Sequence, residues 1–482
     1  MRIKKQTTTN IQYSTNQGET MRNNLLPAVH KRLAQFNFEN FFAGFNSSVD
    51  ESVLPLHIAK RIYNFNISDG TLSDGYGMAR DSRFPIAATN IWNYRFWHEE
   101  SKSHRNILMA SHTNGEIRFL PHGERNLTRL VGVQFTSTPI AVNYRLFGED
   151  VILMTSETDG MFVWNGRDAA YKIEGAPSIR TLTMHFERMF VTTAGEANAV
   201  YFSDDLDPTN WGMELNEGGF IQFMDEMGSS NKVISFLNHV YVFRDYGISR
   251  ITAFGDQSEF SATNLFTSSG RIYGKTPTAC GDRIMFLASD GIYMFDGIST
   301  IPVAGHLKGL IKHSPNAVAT YHDGKYFLSL NLDIGTPSAD NRNNSFISID
   351  LKSGLVNVTH GIGPTAFNSI DGNLFAISHG TIGTINNSAR NAGDIALRKS
   401  YVSPLIDLGT DEIKTIREFY IDSTVPFQLT LFSETTSRTL SVTPRVGITR
   451  LRMNFRGRKL GFAIETTATG GRLTRPGVRF SI

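Results

Sequence analysis

The sequence predicts an all-β protein, a multi-bladed β-propeller of about seven blades followed by a small C-terminal β-sandwich, with a polar N-terminal arm. Three observations indicate this fold. A hairpin signature occurs twice, short apolar-alternating runs recur along the chain, and the 482 residues include 34 Phe, 15 Tyr and 42 Gly. Aromatic residues favour strands, and glycines favour the turns between them. The predicted boundaries are 1–37 for the arm, 38–400 for the propeller and 401–482 for the sandwich.

The hairpin signature lies at Thr158–Gly166 and again at Ser289–Gly297. Both stretches read polar, Asp, Gly, apolar, aromatic, apolar, aromatic, Asn or Asp, Gly. Asp-Gly and Asn-Gly favour the positive φ angles of tight turns, so each stretch predicts a hairpin with its exit turn. Turn geometry alone accounts for Asp at these places, and we therefore interpret Asp159 and Asp290 as turn residues rather than a catalytic pair.

Short strand-like runs follow one another from Phe84 onward, each closed by a Gly, Asn or Asp turn. A sandwich also has many short strands, but it does not predict a recurrent hairpin signature. A spacing of about 40–50 residues per four-stranded unit is typical of propeller blades. The predicted blades are 84–125, 127–175, 176–220, 221–270, 271–312, 313–362 and 363–400.

The N-terminal residues 1–35 are polar and resemble a disordered segment in composition. We expect this arm to be held by a neighbouring subunit, with a short helix at about 24–36. The first residues lack the apolar core of a signal peptide, and no run of about 18 apolar residues predicts a membrane span.

The C-terminal region contains six strand-like runs, typical of a compact sandwich or small barrel. They are 413–422, 427–434, 437–444, 448–455, 459–467 and 473–482.

A basic cluster lies in this region, with no acidic residue inside it. Arg450 and Arg452 are two residues apart and would share one face of a strand. The cluster is either a solvated sheet face or a contact surface for an acidic partner or DNA. Its members are Arg445, Arg450, Arg452, Arg456, Arg458 and Lys459.

The sequence carries no recognisable catalytic, cofactor-binding or metal-binding pattern. Cys280 is the one cysteine, which excludes a disulfide framework and a multi-cysteine zinc site, and we expect it to be buried. The stretch Ser203–Trp211 is an imperfect Asp-box, which is a structural turn in sialidase propellers. A net charge of +2 does not indicate a nucleic-acid-binding protein by bulk charge. The chain is predicted not to be an enzyme.

Three stretches resemble tailed-phage virion propeller proteins, and the nearest family in layout is the packaged-DNA stabilisation, or tail-hub, family of short-tailed phages. The first is Phe42–Asn46 with the Leu54, Asn64, Gly70, Leu72 and Gly75 that follow. The second is Phe202–Trp211, similar to an Asp-Pro-x-x-Trp blade edge. The third runs from Asn231–Ile234 to Gly274–Pro277 and resembles the central blades. The polar arm and the basic cluster have no counterpart in this resemblance.

The resemblance implies a structural role in a phage tail. Such hubs form homo-oligomeric rings, commonly hexamers, that extend the head-to-tail channel, retain packaged DNA and dock connector and needle or fibre proteins. The protein would then reside in the virion tail after assembly in the host cytoplasm, and it would need no cofactor. Two alternatives remain open: a tail-tip or receptor-binding adhesin, and a carbohydrate-active propeller enzyme.

Overall fold

The computed structural model describes residues 12–13, 33–38, 44–49, 54–55, 58–68, 70–214, 218–334, 341–389, 391–392 and 395–482. The chain divides into two compact units, one of Met1–Tyr76 with Ala396–Ile482 and one of Gly77–Ile395. Within the described ranges the regular structure is strand, apart from the short 3-10 helices Gln257–Glu259 and Gly305–Leu307. The predicted all-β class is confirmed.

The N-terminal part of the first unit contains β1 (Gln12–Tyr13), β2 (Leu33–Asn37), β3 (Arg61–Tyr63), β4 (Phe65–Ser68) and β5 (Thr71–Asp74). Most of the predicted helix at 24–36 lies outside the described residues. Its described end is a strand, which corrects that part of the prediction. Leu33 pairs with Ser481 and Asn37 with Gly477, because the C-terminal strand offers its backbone groups to this segment.

The second unit begins with β6 (Gly77–Arg80) and continues through six four-stranded antiparallel sheets. The first sheet contains β7 (Ala88–His98), β8 (Ser103–His112), β9 (Glu116–Phe119) and β10 (Thr128–Gln134). The second contains β11 (Ile140–Leu146), β12 (Glu149–Ser156), β13 (Gly160–Trp164) and β14 (Tyr171–Ile173). The third contains β15 (Ile179–His185), β16 (Arg188–Thr193), β17 (Ala199–Phe202) and β18 (Gly219–Gln222).

The remaining sheets of this unit repeat the same up-and-down order. The fourth contains β19 (Ser230–Phe236), β20 (His239–Arg244), β21 (Gly247–Thr252) and β22 (Ser261–Thr267). The fifth contains β23 (Thr278–Ala279), β24 (Ile284–Ala288), β25 (Gly291–Phe295) and β26 (Thr300–Val303). The sixth contains β27 (Val318–His322), β28 (Lys325–Leu330), β29 (Ser345–Asp350) and β30 (Val356–His360).

The seventh sheet joins the two ends of the second unit. It contains β31 (Ala366–Ile370), β32 (Asn373–Ser378), β33 (Thr381–Asn386), β34 (Asn391–Ala392) and β35 (Ile395–Ala396), together with β6. β6 pairs antiparallel to β33, with Met78 opposite Ile385. The predicted seventh group, 363–400, did not include this strand from the start of the unit.

Neighbouring sheets of the second unit pack face to face in a propeller-like arrangement. The inner strands adjoin in chain order, and β31 of the seventh sheet adjoins β7 of the first. Tyr94 and Trp164 fill the space between the first two sheets, with ring centroids 5.2 Å apart. Phe243 and Phe286 do so between the fourth and fifth, at 5.4 Å. Strands such as β12, β24 and β28 are buried along almost their whole length, because neighbouring sheets cover both of their faces.

The last strands return to the first unit. They are β36 (Lys399–Val402), β37 (Lys414–Ser423), β38 (Phe427–Ser433), β39 (Ser437–Val442), β40 (Ile448–Gly457), β41 (Leu460–Thr466) and β42 (Arg472–Ser481). The six strand-like runs predicted here are confirmed. One sheet has the order β1-β2-β42-β37-β40 with β5 and β4 attached, and the other has the order β3-β36-β41-β38-β39.

Two predicted boundaries differ from the structure. Residues 61–74 were assigned to the propeller, yet β3 pairs with β36 and β5 with β42. A buried ion pair of 2.8 Å between Lys399 and Asp74 supports this placement. In the second unit, β10 pairs with β9 and belongs to the first sheet, although its residues were grouped with the second. Local alternation locates strands but does not choose their partners.

Candidate interaction surfaces

Arginines project from one side of β40, the edge strand of its sheet. Arg450, Arg452 and Arg456 are exposed, whereas Thr449 and Phe455 on the opposite side are buried. This alternation is the period of two that a strand imposes on its side chains. The predicted common face of Arg450 and Arg452 is therefore present.

Two arginines from neighbouring strands extend this row. Arg417 of β37 donates to Asn454 Oδ1 at 3.1 Å and to Ser481 Oγ at 3.3 Å. Arg479 of β42 donates to Gln35 Oε1 at 3.2 Å. We name the resulting surface the arginine face, formed by Arg417, Arg450, Arg452, Arg456 and Arg479.

Carboxylates compensate the arginine face only in part. Glu418 pairs with Arg450 at 2.7 Å and lies 3.7 Å from Arg479. Asp422 lies farther along the same strand and pairs with Ile448 of β40. Within the described residues, Arg452 and Arg456 have no side-chain hydrogen bond or ion pair. The face thus keeps an excess of positive charge that is open to solvent.

The other members of the predicted basic cluster lie elsewhere. Arg445 precedes β40, and its backbone N–H donates to Thr449 Oγ1. Arg458 and Lys459 form the turn between β40 and β41. The carbonyl of Arg458 accepts from the buried Lys414, and the backbone N–H of Lys459 donates to Glu434 Oε1. These three residues were grouped with the arginines of β40 because they are close in sequence. In the structure they lie in the turns at either end of that strand.

The signature aspartates occupy turns between second and third strands, as predicted, and Asp159 also links two sheets. Its carboxylate accepts hydrogen bonds from the Thr136 backbone N–H at 2.8 Å and from Ser156 Oγ at 2.6 Å. Burial raises the pKa of Asp159, but these hydrogen bonds outweigh it and lower the pKa to about 2. Asp290 accepts from the Tyr293 hydroxyl at 2.6 Å. Both carboxylates are therefore held by structural contacts.

Six large apolar side chains are exposed at turns on one side of the second unit. Three lie between the first and second strands of the second, third and fourth sheets, and three lie between the third and fourth strands of the third, fourth and fifth sheets. We name them the turn surface: Phe147 (82% exposed), Phe186 (58%), Leu237 (58%), Leu206 (63%), Phe254 (46%) and Ile298 (82%). The sequence pattern did not identify these residues. It locates each turn from neighbouring residues and does not show which other turns lie beside it in the fold.

Each turn of the first kind adjoins a turn of the second kind in the next sheet. Within the third sheet the Leu206 N–H donates to the Glu187 carbonyl beside Phe186, and within the fourth the ring of His239, near Leu237, lies 6.2 Å from that of Phe254, so the turn surface is continuous. The rings of Phe186 and Phe254 are 5.2 Å apart. Leu237 packs beside Gly297, the residue before Ile298, since a Cβ added to Gly297 would lie 3.3 Å from Leu237 Cδ1. The hydroxyl of Tyr144, near Phe147, donates to the carbonyl of Leu206 at 3.1 Å.

The backbone of these turns is unfavourable for the residues they carry. Phe147, Phe186 and Leu237 have φ of 48°, 50° and 45°. At the equivalent turns of the sixth and seventh sheets, Asp323 and Asp371 have φ of 46° and 48°. A left-handed conformation costs roughly 1–2 kcal/mol for an L-residue, and Asn, Asp or Gly bear it best. Exposed apolar residues in strained turns are a reason to look for a binding role.

Cys280 is buried, as predicted, and burial raises the pKa of its thiol to about 12. Among the described residues, no group of three His, Cys, Asp or Glu side chains is arranged to hold a metal ion. The same residues form no helix with the length and apolar character that crossing a membrane requires.

The comparisons with known proteins include distant likenesses to solved structures. No family model matches the chain, and no curated protein matches it. The designed protein Ika8 is 12% identical with a TM-score of 0.40, covering 64% of this chain and 99% of its own. BamB from Moraxella catarrhalis is 9% identical with a TM-score of 0.36, covering 58% and 78%. BBS1N, solved in complex with ARL6DN, is 10% identical with a TM-score of 0.41, covering 64% and 95%. Likenesses this distant carry no argument about function.

Proposed function

We propose that the chain is a non-enzymatic structural component of a phage tail, a hub, nozzle or connector ring on which other tail proteins dock. The observation that carries this proposal is the turn surface. Its six apolar side chains are contiguous, solvent-exposed and partly held in strained backbone conformations. A monomer gains nothing from such an arrangement, whereas a docked protein would bury it.

The proposed architecture is a seven-bladed propeller with a β-sandwich built from the chain ends. Cyclic packing of seven sheets and closure by β6 support the blade count. In the sandwich, Phe419 and Phe462 lie on opposite sheets with ring centroids 5.5 Å apart. A propeller suits a connector because each blade buries its faces against its neighbours and leaves rigid turns at both rims.

The arginine face gives this role a second surface. Unpaired guanidinium groups bind phosphates and carboxylates, so the face would contact packaged DNA or an acidic neighbour. We propose a homo-oligomeric ring, with a hexamer favoured by the resemblance described above, that extends the head-to-tail channel and retains the packaged DNA.

The turn surface is tested by replacing three strained residues with asparagine, in the variant Phe147→Asn/Phe186→Asn/Leu237→Asn. Asparagine tolerates positive φ and is polar, so the unfolding temperature of the purified chain should stay equal or rise. Assembly of infectious particles, measured by complementing a phage that lacks this chain, should fall at least ten-fold.

Asp323→Asn is the matched control, since it changes the equivalent turn of the sixth sheet without altering an apolar side chain. It should leave assembly unchanged. Normal assembly by the triple variant would overturn the proposed docking role, as would equal losses in the triple variant and the control.

A receptor-binding adhesin is the second candidate, because three of the six side chains are exposed phenylalanines on one side of the unit. Leu206, Leu237 and Ile298 offer no hydrogen bonds to sugar hydroxyls, which favours a protein partner. Binding of the purified chain to host cells, abolished by the triple variant, would support the adhesin. Absence of cell binding together with defective assembly would support the connector.

A further inference from the structure

An axial cavity of about 980 Å³ lies within the second unit. Residues at or beside the inner strand of each of its seven sheets line this cavity, from Thr89 in the first sheet to Asn368 in the seventh. A cavity of this size accommodates a small-molecule ligand.

Most of the charges along one part of the cavity wall neutralise one another. Glu157 pairs with Arg180 at 3.6 Å, and Arg180 donates to Asn231 Oδ1 at 3.3 Å. Asn231 in turn donates to Asp245 Oδ1 at 2.9 Å, and Arg271 pairs with the same carboxylate at 3.1 Å. This chain of contacts connects the second, third, fourth and fifth sheets.

Two further cations in the wall have no counterion. Within the described residues, the side chains of Lys232 and Lys275 make no ion pair or hydrogen bond. Both lysines line the same cavity. Burial lowers the pKa of Lys232, and the positive charge of Lys275 lowers it further. Two like charges in one cavity without a carboxylate between them are unfavourable, and a bound anion would relieve that cost.

Gly274 allows the two backbone segments that carry these lysines to approach each other. A Cβ added to this residue would lie 2.5 Å from Asn231 Cβ, closer than carbon atoms can approach. The segment before β23 therefore reaches the start of β19 only because position 274 lacks a side chain. This contact joins the two stretches Asn231–Ile234 and Gly274–Pro277, which are far apart in sequence.

We propose that Lys232 and Lys275 form an oxyanion site in the axial cavity, which takes a phosphate group, either free or on a phosphomonoester. Two ammonium groups match the double charge of a phosphate, and the cavity leaves room for a nucleoside-sized substituent beyond it. The residues of this site belong neither to the turn surface nor to the arginine face. The proposal of phosphate binding does not depend on the proposed tail function.

Phosphate binding is tested by titrating the full chain with sodium phosphate and following the 31P signal and the heat of binding. Sodium chloride of equal ionic strength serves as the reference. Phosphate should bind with millimolar or tighter affinity, and Lys232→Met/Lys275→Met should weaken it at least ten-fold. Lys275→Met alone should weaken it several-fold, and it keeps the test valid should the double variant fail to fold, because Lys275 is exposed to the cavity.

Lys352→Met is the matched control, since Lys352 is an exposed lysine in a turn of the sixth sheet, and it should bind phosphate normally. Tighter binding of adenosine monophosphate than of inorganic phosphate would assign the site to phosphomonoesters, and equal or weaker binding would assign it to free phosphate. No binding above the chloride reference would overturn the proposal. Unchanged affinity in Lys275→Met, or an equal loss in Lys352→Met, would also overturn it.

Discussion

His185 is a buried, neutral side chain in the second unit whose ionisation the fold opposes. It is 2% exposed, and its Nδ1 lies 2.9 Å from Ser235 Oγ. Its Nε2 has no hydrogen-bond partner among the described residues. Burial, assisted by the neighbouring His239, lowers the pKa of His185 from 6.5 to about 4.

This depressed pKa predicts a loss of stability in mild acid. Between pH 6.5 and about 4 the unfolded state binds a proton at this position that the folded state does not, so stability falls as pH falls. Well above pH 6.5, His185 causes no loss of stability. At pH 5 it should lower the free energy of unfolding by about 1–2 kcal/mol. His185→Asn should make the free energy of unfolding less dependent on pH across this range, as measured by urea denaturation.

The control for this prediction is His379→Asn, which changes an exposed histidine in the turn between β32 and β33. It should retain the wild-type pH dependence. Identical pH slopes for wild type and His185→Asn would contradict the assignment.

At the scale of elements, the arginine face illustrates how pairing creates a surface. Its residues come from β37, β40 and β42, and the sheet order places β37 between the other two. Glu418 stands opposite both Arg452 and Arg479 on its two neighbouring strands. The positive surface is thus a property of three strands, and no single run of the sequence contains it.

Charge reversal on β40 tests this surface. Arg450→Glu/Arg452→Glu should weaken binding of the purified chain to duplex DNA by at least ten-fold at low salt. Because about two phosphate contacts would be lost, the slope of log affinity against log salt should fall by about 2. If the chain has the proposed tail function, the yield of DNA-filled particles should fall as well.

Arg445→Glu/Arg458→Glu makes the same change of charge in turns outside the face. It should reduce DNA affinity much less. Equal losses in the two variants would show a general charge effect, and a normal yield of filled particles from the β40 variant would contradict the proposed DNA-retention role.

At the scale of the whole second unit, closure depends on β6 pairing with β33. Gly383 of β33 is the position where this pairing is tightest. An added Cβ would lie 2.6 Å from Ala79 O and 2.8 Å from Met78 Cγ. Glycine is required here by the close approach of another strand rather than by a turn.

Gly383→Ala should therefore destabilise the unit by about 1–3 kcal/mol, the usual cost of forcing extra atoms into a packed site. Chemical denaturation measures this loss, and limited proteolysis should show faster cleavage near 77–80. Gly195→Ala is the control, because an added Cβ there meets no atom within 4 Å. A Gly383 variant as stable as this control would mean that β6 does not close the unit.

The fold was predictable where it depends on neighbours along the chain. Alternation located the six C-terminal strands to within about two residues, and Asp-Gly turns located the hairpins at Asp159 and Asp290. The site was predictable only in part: Arg450 and Arg452 were placed on one face by their spacing, and Arg456 belonged to the predicted basic cluster. Arg417 and Arg479 were missed, since their membership depends on the strand order β42-β37-β40.

The sequence by itself thus determined the all-β class, the positions of most strands and the turn residues, because alternation and turn chemistry act over a few residues. The tertiary structure decided the partners: β2 with β42, β6 with β33, and the segment at Gly274 with the segment at Asn231. It also decided that apolar turns from four sheets form one surface. These pairings depend on the free energy gained when surfaces that are distant in sequence are buried together. That free energy exists only in the assembled sheets.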